Sequence, residues 1–396
     1  MAQKLRIAVT GLAATYPFGG VFWDYVQYPL GLARLGHEVL YIEDTGQWCY
    51  DPGQQTFVEG GAQNAALLAR SFAQLAPELT GRWFYRDAAG QCFGATWEQV
   101  GDYCRRADLF LHLSATCWMR EEYFGARRVV FIDSDPMYTQ ASVPAYVDGT
   151  SDAQARARLE VIRRHQAFFS FGENIGRQDC RVPGELFAWQ PTRQPVVLDR
   201  FAGHLVPVER RRRVFTTVAS WEPAQDGPLV RGVQYRGKSV EFERFLDLPR
   251  HSQVPLELAM SGRAPKERLR EHGWVMVDPG TVSGDAVSYR DYLAHSLGEW
   301  SVAKNAYVAG HTGWFSCRTA CYLALGVPAV VQDTGFSRFL PTGEGLIAFG
   351  TLEEAAAGLA AVAAEPRKHA QAARALAQEY FDSDKVLGRL IEAALG

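Results

Sequence analysis

The chain has 396 residues, 47% of them hydrophobic and 21% charged, and its formal net charge is −3 at pH 7. This composition is typical of a folded globular protein, and the small charge gives no reason to expect nucleic acid or an anionic membrane as an obligatory partner. Because the length exceeds what one hydrophobic core usually serves, we expect two domains.

The seven cysteines are scattered and lack Cys-x-x-Cys spacing, so the sequence suggests neither a zinc site nor a disulfide framework. A reduced cytoplasm fits this usage best. The amino terminus shows no basic start followed by an apolar run of signal length, and no stretch of about eighteen apolar residues occurs. We therefore expect a cytoplasmic protein with no membrane span.

The first half of the chain repeats strand, loop and helix. An apolar strand is predicted at residues 5–10, and a helix follows because Val21, Tyr25, Tyr28, Leu32 and Leu35 recur at helical spacing. A second strand at 39–42 completes one βαβ unit. Further apolar strands are predicted at 109–113, 129–132 and 167–171, so residues 1–182 form the first domain.

Prolines at 183, 191, 195 and 207 mark residues 183–208 as a linker, after which the pattern starts again. Strands are predicted at 214–219, 256–260, 274–277, 306–308 and 329–331, with helices between them and at 353–364, 370–380 and 385–395. Residues 209–380 therefore form a second domain. Alternating strands and helices predict α/β architecture, with two parallel-sheet domains facing each other across a cleft.

The segment from His311 to Gly335 carries the most specific pattern. His311 and Trp314 flank Gly313, which lets the backbone approach a ligand closely. Ser316 can cap a helix through residues 318–325, and the unpaired amides at a helix start attract phosphate. These features predict an anion site in the turn.

The same segment ends in a strand with a polar tip. Gly326 ends the helix and Pro328 prevents its resumption, so residues 329–332 are predicted as a buried parallel strand. Ligands of open α/β sheets bind beyond the carboxyl ends of strands. We therefore expect three residues of the tip to contact the ligand: Asp333, Thr334 and Gly335.

The run His311-Thr-Gly-Trp-Phe-Ser316, followed by Gly326-Val-Pro328, resembles the donor-binding signature of GT-B glycosyltransferases. The resemblance implies two Rossmann-like doubly wound domains and a donor diphosphate at the turn. It also implies a nucleotide-diphosphate sugar of UDP or dTDP type as co-substrate, no cofactor, no metal, and a last helix at 381–396 that packs on the first domain. Thr319 and Cys321 stand where the family has a glutamate, so Thr319, Cys321 or the Asp333-Thr334 strand tip is expected to hold the ribose or sugar.

The first loop strengthens the resemblance. Gly19-Gly20 resembles the glycine-rich loop that borders acceptor and sugar in many GT-B chains. Phe18 and Trp23 lie among the aromatic residues crowded around it, which suit stacking against a ring although such a stripe is more often core, and Trp23 is predicted to contact the acceptor. Asp133 and Asp135 are predicted to line the cleft on the acceptor side. Asp-x-Asp is also a metal motif of the other glycosyltransferase fold. The tripeptide recurs at residues 382–384, where helix capping explains it, so we predict no metal.

Basic residues of the second domain supply candidates for the donor phosphates. Arg236 and Lys238 resemble the positions where the family sets cations, and Lys238 can neutralise a departing diphosphate. Lys304 precedes the glycine turn closely, although a snorkelling surface lysine would give the same spacing from Trp300. Asp278 ends a strand where the family places the nucleotide base.

An inverting enzyme of this class needs a general base within reach of the acceptor. No histidine lies between residues 11 and 36, so Asp24 is the first candidate and Glu173 the second. Asp24 also suits the start of a helix for purely electrostatic reasons. If the enzyme is retaining, Lys238 and His311 become the main catalytic groups.

The sequence therefore predicts a glycosyltransferase that moves a sugar from a nucleotide-diphosphate sugar to a small-molecule or macromolecular acceptor. An epimerase or hydrolase on the same fold, and a non-catalytic nucleotide-sugar binder, stay open. A dehydrogenase is disfavoured because the loop after the first strand lacks Gly-x-Gly-x-x-Gly. Sugar, base, acceptor and oligomeric state are left open.

Overall fold

A computed structural model describes residues 4–221 and 227–396 of the chain. Its first part forms an eight-stranded sheet in the order β10-β9-β8-β7-β1-β2-β5-β6, parallel except for the β5–β6 pair, and a separate β3–β4 hairpin. The ten strands are β1 (Arg6–Thr10), β2 (Glu38–Asp44), β3 (Cys49–Asp51), β4 (Thr56–Val58), β5 (Trp83–Arg86), β6 (Cys92–Gly94), β7 (Leu109–Leu113), β8 (Arg128–Asp133), β9 (Ala167–Ser170) and β10 (Trp189–Pro191).

Helices cover both faces of this sheet, which is why its central strands are almost wholly apolar. All five residues of β7 are buried, and β7 pairs with β1 on one side and β8 on the other. The helices of this part are α1 (Gly19–Tyr25), α2 (Gln27–Arg34), α3 (Ala62–Leu75), α4 (Trp97–Arg105), α5 (Val143–Val147), α6 (Ala153–Arg163) and α7 (Asp199–Ala202).

The second part forms a six-stranded, wholly parallel sheet in the order β15-β14-β11-β16-β17-β18 and a small β12–β13 hairpin. Its strands are β11 (Arg212–Trp221), β12 (Leu229–Val230), β13 (Val233–Gln234), β14 (Leu256–Gly262), β15 (Val275–Val277), β16 (Ser296–Ser301), β17 (Ala329–Gln332) and β18 (Leu346–Phe349). Its helices are α8 (Lys238–Glu243), α9 (Lys266–Glu271), α10 (Pro279–Ser283), α11 (Ala286–Ala294), α12 (Asn305–Gly310), α13 (Cys317–Ala324), α14 (Leu352–Ala364), α15 (Pro366–Tyr380) and α16 (Ser383–Leu395).

One predicted strand of the second sheet is wrong. Residues 306–308 belong to α12, and the strand of this unit is β16, whose six residues are all buried. Three apolar residues do not distinguish a strand from a helical turn. The sequence pattern did not indicate β16 because this strand carries Glu299, and glutamate is rare in buried strands. Here Arg318, nineteen positions later in the sequence, forms an ion pair with Glu299.

The predicted stop after α13 is confirmed in detail. Gly326 adopts a left-handed conformation with φ of 65°, and its amide bonds to the carbonyl of Leu323. The amide of Val327 bonds to the carbonyl of Tyr322 at 2.9 Å, which completes a Schellman motif. The chain then turns directly into β17.

Helix contacts between α16 and α2 and between α1 and α11 help to join the parts of the molecule. Helix α16 packs against α2, where a side chain at Gly31 would meet Leu387 at 2.6 Å. Helix α1 packs against α11, where Gly19 leaves no room for a side chain. Among the residues that the structure describes, no helix combines the length and the apolar character needed to cross a membrane.

Candidate functional site

A cavity of about 980 Å³ lies between the two parallel sheets. Its walls come from the segments that follow β1, β7 and β8 in the first sheet and from the ends of β11, β14 and β16 in the second. Both sheets therefore present their carboxyl ends to one space, which is where ligands of open α/β sheets bind. Its volume is that of a site for a small molecule or cofactor.

Asp24 lies on the first-sheet side of this cavity, on helix α1. Its side chain is half-buried, and burial raises its pKa to about 7, although the positive charge of Arg318 opposes the rise. Desolvation of a carboxylate disfavours its charged form and so raises its proton affinity. A carboxyl group with a pKa near neutrality is suited to accept a proton at physiological pH.

Arg318 faces the cavity from the second-sheet side and is not among the site residues predicted from the sequence. Its Nε donates to Glu299 Oε1 at 2.7 Å, and its Nη1 donates to the carbonyl of Val218 at 2.8 Å. Glu299 is fully buried, so the guanidinium is fixed by a buried charge pair. One signal was available, because Arg318 is the single charged residue in the otherwise uncharged helix α13.

Two predicted lysines also line the second-sheet side. Lys304 Nζ lies 3.1 Å from Asp135 Oδ2 on the opposite side and 4.4 Å from the ring centroid of Tyr138. Lys238 lies at the first position of α8 and lines the cavity. Arg236 differs from its prediction, because it is exposed, stands outside the cavity lining, and contributes a backbone amide bond to Asn305.

The glycine turn places two of its predicted residues in the cavity. Trp314 donates from Nε1 to the carbonyl of Ser134 at 3.0 Å and packs on Tyr307, with ring centroids 4.4 Å apart. Ser316 is the N-cap residue of α13 by its backbone angles, but its side chain makes no capping bond. Asp278 caps α10 through the amides of Gly280 and Thr281, which lower its pKa, and it lines the same cavity.

His311 does not lie where the sequence argument put it. It ends α12 in a left-handed conformation, with φ of 49° and ψ of 50°, and its Nδ1 lies 2.8 Å from Asp179 Oδ2. The same carboxylate pairs with Arg338 at 2.7 Å. The imidazole is therefore part of a polar link beside the cavity and not of its lining.

Gly313 was predicted to allow a ligand close to the backbone, and in the structure it allows the backbone of Asn174 to come close. Its φ is 76°, and an added Cβ would lie 2.8 Å from the backbone nitrogen of Asn174. Its amide donates to the carbonyl of Thr334 at 2.8 Å. The glycine thus lets two protein segments meet, and it stands outside the cavity lining.

The predicted strand tip also has a structural role. Asp333 accepts bonds from the amide of Gly335 at 2.8 Å and from Ser337 Oγ at 2.6 Å, which is an Asx-type turn. Thr334 Oγ1 donates to the carbonyl of Trp314. Thr319 and Thr334 line a separate cavity of about 20 Å³, which has room for a water molecule and not for a ribose. None of the tip residues lines the large cavity.

Two predicted residues of the first domain are buried. Asp133 is fully buried and accepts bonds from Thr139, Gln140 and Ser170, so its carboxylate orders the segment after β8. Trp23 is fully buried, and its Nε1 donates to the carbonyl of Ala286 at 2.9 Å. Neither side chain reaches the large cavity, since apolar and polar core contacts hold both.

Gly19 and Glu173 also differ from their predictions. Gly19 packs on the α11 backbone, where an added Cβ would meet the carbonyl of Asp285, while Gly20 does line the cavity. Glu173 forms an ion pair with Arg193 and stands outside the lining, so it is not a candidate base. The contact of Gly19 with Asp285 and the contact of Glu173 with Arg193 join residues that are not neighbours in sequence, so local sequence patterns do not predict them.

A loop that the sequence did not single out also contributes to the first-sheet side. Ser114 and Ala115 follow β7 with φ of 54° and 52°, and both line the cavity. Non-glycine residues in this region are uncommon and cluster at functional sites. Among residues 4–221 and 227–396, no group of three or more His, Cys, Asp or Glu side chains is placed to hold a metal ion.

No protein-family model and no curated protein matches the chain. Solved structures do match over its whole length. An α-glucosyltransferase solved with UDP and a 13-mer DNA is 9% identical, with a TM-score of 0.59 over 100% of both chains. A glycosyltransferase from Rickettsia africae is 11% identical, with a TM-score of 0.53 over 99% of this chain and 98% of that one.

A sucrose-phosphate synthase from Thermosynechococcus elongatus is 13% identical, with a TM-score of 0.50 over 98% of each chain. Identities this low concern the fold and leave the activity to be argued from the site. The predicted fold class is confirmed: the chain has the two-domain GT-B fold of nucleotide-sugar glycosyltransferases.

Proposed function

We propose that this protein is a glycosyltransferase that moves a sugar from a nucleotide-diphosphate sugar to a hydroxyl group of an acceptor. One observation carries the proposal. A single interdomain cavity has a carboxyl group with a pKa near 7 on one side and three cationic side chains on the other, which are Lys238, Lys304 and Arg318. Glycosyl transfer needs a group that accepts the acceptor proton and positive charge that stabilises the leaving diphosphate, and this arrangement can supply both.

The cationic side suits the donor diphosphate. Lys238 stands at a helix start, where the amides and the helix dipole add to its own charge. Arg318 is held rigidly by Glu299, so it is preorganised for an anion. These residues can balance the diphosphate without a metal, and the α-glucosyltransferase neighbour was solved with UDP, so we propose a metal-independent enzyme that uses a UDP or dTDP sugar.

The transfer step uses both sides of the cavity. The acceptor oxygen attacks the anomeric carbon, and the bond from that carbon to the diphosphate oxygen breaks. Asp24 takes the acceptor proton, and the diphosphate leaves with the bonding electrons. Lys238 and Arg318 stabilise the negative charge that develops on the leaving group.

The cysteines support a reducing compartment. All seven are free in the structure, and four of them, Cys49, Cys104, Cys117 and Cys321, are buried. Unpaired thiols persist where glutathione and thioredoxin keep proteins reduced. We therefore propose that the enzyme acts in the cytoplasm.

Donor binding is the first test. Thermal unfolding would be followed with UDP, dTDP and GDP and with their glucose conjugates, because a ligand of the folded state raises the melting temperature. We expect a rise with UDP or dTDP that the double variant Arg318→Gln, Glu299→Gln abolishes, because it removes the cation without leaving Glu299 as an unpaired buried charge. The matched control is Arg268→Gln, which removes a surface arginine paired with Glu243 and should leave the rise unchanged.

Measurement of the reaction products distinguishes a glycosyltransferase from an epimerase, a hydrolase and a non-catalytic binding protein. Release of free UDP that depends on an added acceptor, together with a new glycoside detected by mass spectrometry, would establish transfer. Conversion of the donor sugar with no acceptor present would identify an epimerase or hydrolase instead. Tight donor binding without any reaction would identify a binding protein.

A further inference from the structure

The first-sheet side of the cavity carries a cluster of aromatic side chains, which we call the aromatic wall: Tyr16, Phe18, Tyr50 and Phe57. The rings of Phe18 and Tyr50 lie 4.9 Å apart, and those of Tyr50 and Phe57 lie 5.6 Å apart. Tyr16, Phe18 and Tyr50 line the cavity directly. The wall is built by the loop after β1 and by the β3–β4 hairpin, and of its members only Phe18 was considered for stacking from the sequence.

The aromatic surface continues beyond the cavity. Trp48, Phe57 and Trp118 are 56%, 48% and 65% exposed, and they are the only aromatic residues of the described chain with that degree of exposure. Trp48 follows the lining residue Gln47, and the Trp118 ring packs against Gly46. Exposed aromatic patches of this kind mark binding surfaces. Trp48 and Trp118 therefore flank Gly46 and Gln47 at the edge of the cavity, and Phe57 adjoins Tyr50 within the wall.

Charge is distributed unequally over the cavity. Among the described residues that line it, the first-sheet side carries no lysine, arginine or histidine, and its charged side chains are Asp24 and Asp135. All lining cations lie on the opposite side, where the donor diphosphate needs them. An anionic acceptor on the aromatic wall would find the Asp24 carboxyl group and no cation on its own side, since Lys304 of the opposite side is already paired with Asp135, and this is electrostatically unfavourable.

Neutral polar groups complete the wall. Gln47 and Gln55 line the cavity beside the rings, and Tyr16 donates to Gln47 Oε1 at 3.0 Å. Amides both donate and accept hydrogen bonds, as hydroxyl groups do. Flat apolar faces next to neutral amides match the two surfaces of a sugar ring, which are its C–H face and its hydroxyl edge.

We propose that the acceptor is an uncharged saccharide of more than one ring, with one ring on the aromatic wall and the next against Trp48 and Trp118. This assignment rests on the proposed function and adds the class of acceptor to it. It separates this protein from its α-glucosyltransferase neighbour, which was solved with DNA. A polyanion is disfavoured by the carboxylates and by the lack of cations on the wall.

Calorimetric titration of the whole protein, saturated with UDP, tests the assignment. The probes are glucose, malto-, cello- and manno-oligosaccharides of two to four units, glucose 6-phosphate, 2-naphthol and a 13-mer DNA. We expect at least one neutral series to bind at least tenfold more tightly as a trisaccharide than as a monosaccharide. Glucose 6-phosphate and DNA should bind more weakly than the neutral saccharides.

Variants locate the binding surface. Tyr50→Ala should weaken saccharide binding at least tenfold, and Trp118→Ala should remove the gain from chain length, while both keep the wild-type affinity for UDP. The matched control is Tyr146→Ala, which removes a tyrosine on α5 that contacts Arg163 and Glu160 far from the lining. A UDP affinity equal to wild type shows that each variant is folded.

The outcomes are distinct. Binding that is strongest for DNA, glucose 6-phosphate or 2-naphthol, or no binding of any neutral saccharide while UDP still binds, would overturn the acceptor assignment and leave the proposed function in place. Wild-type saccharide affinity in both wall variants would also overturn it. Failure of every nucleotide and nucleotide sugar to bind would overturn the proposed function itself.

Discussion

Lys304 and Asp135 form an ion pair across the cavity, with 3.1 Å between Nζ and Oδ2. Asp135 follows β8 of the first sheet and Lys304 follows β16 of the second, and each lines the space proposed for the donor. A diphosphate that reaches Lys304 must therefore compete with Asp135. The pair makes donor affinity depend on a carboxylate that contacts the same ammonium group.

Removal of the Lys304 charge and removal of the Asp135 charge should change UDP affinity in opposite directions. Lys304→Ala should weaken UDP binding about tenfold, because a charge-assisted contact is lost. Asp135→Asn should strengthen it by a factor of about three, since the ammonium no longer has a competing anion. Calorimetry at two salt concentrations checks both effects, with Lys368→Ala as a control because Lys368 pairs with Glu344 on the surface. A loss of affinity in Asp135→Asn would contradict the competition.

Asp24→Asn should slow transfer by a factor of about 10² to 10³ with little change in UDP affinity, because a general base contributes an effect of that size. Burial raises the Asp24 pKa to about 7, so the wild-type rate should rise with pH through that value as the carboxyl group deprotonates. The variant should lose this rise. Asp102→Asn, on the exposed surface of α4, is the control and should keep both the rate and the profile.

Arg318→Gln should lower the free energy of unfolding by about 3 to 5 kcal/mol, because it leaves Glu299 buried without its partner. The double variant Arg318→Gln, Glu299→Gln should recover much of that loss, since no unpaired charge is left. Urea denaturation measures all three proteins. Arg268→Gln, which breaks an exposed pair, should change stability by less than about 1 kcal/mol. Equal losses in the single and double variants would show that charge burial is not the cause.

Acid should destabilise the first domain through a buried histidine pair. The Cys117 amide donates to His112 Nε2, His112 Nδ1 lies 3.0 Å from His165 Nε2, and His165 Nδ1 lies 2.8 Å from the carbonyl of Ile162. Because that carbonyl only accepts, His165 Nδ1 carries its proton, His165 Nε2 accepts, and His112 donates. Each ring is therefore neutral, and an added proton breaks the chain of bonds.

The sign of the pH effect follows from the pKa values. Burial lowers the pKa of His165 to about 4 and lowers that of His112 well below its usual range. The unfolded chain takes up protons near pH 6.5, so stability is complete above that value and is lost as pH falls towards 4. For His165 the loss reaches about 3 kcal/mol. Urea midpoints between pH 7.5 and 4.5 should fall less in His165→Gln than in wild type.

The sequence predicted features that depend on neighbouring residues better than features that depend on distant ones. The helix stop at Gly326 and the strand after it follow from local backbone preferences, and both are confirmed. Gly313 was predicted to let the backbone approach a ligand, and its close neighbour in the structure is Asn174, which is remote in sequence. His311 was predicted at the donor diphosphate, and its partner in the structure is Asp179 of the first domain, which is also remote in sequence.

The same distinction applies to the cavity. Asp24 was named from its place near the first loop, but its altered pKa depends on burial by other segments. Arg318 was overlooked because its importance arises from Glu299, which is itself hidden in an unpredicted strand. The aromatic wall combines residues of the loop after β1 with residues of the two three-residue strands β3 and β4, which are too short to show a periodic pattern. The spacing of residues along the sequence does not predict contacts between segments that are remote in sequence.

Helix α16 packs on α2, and its start is tied to the chain near Val196 by two backbone bonds. The amino-terminal sheet is thus covered by residues that a ribosome adds only after the whole second sheet. During synthesis the face of α2 around Gly31 stays open to solvent and to chaperones until Leu387 arrives. Contacts so distant in sequence slow folding, so the last steps of folding should be limited by docking of this helix.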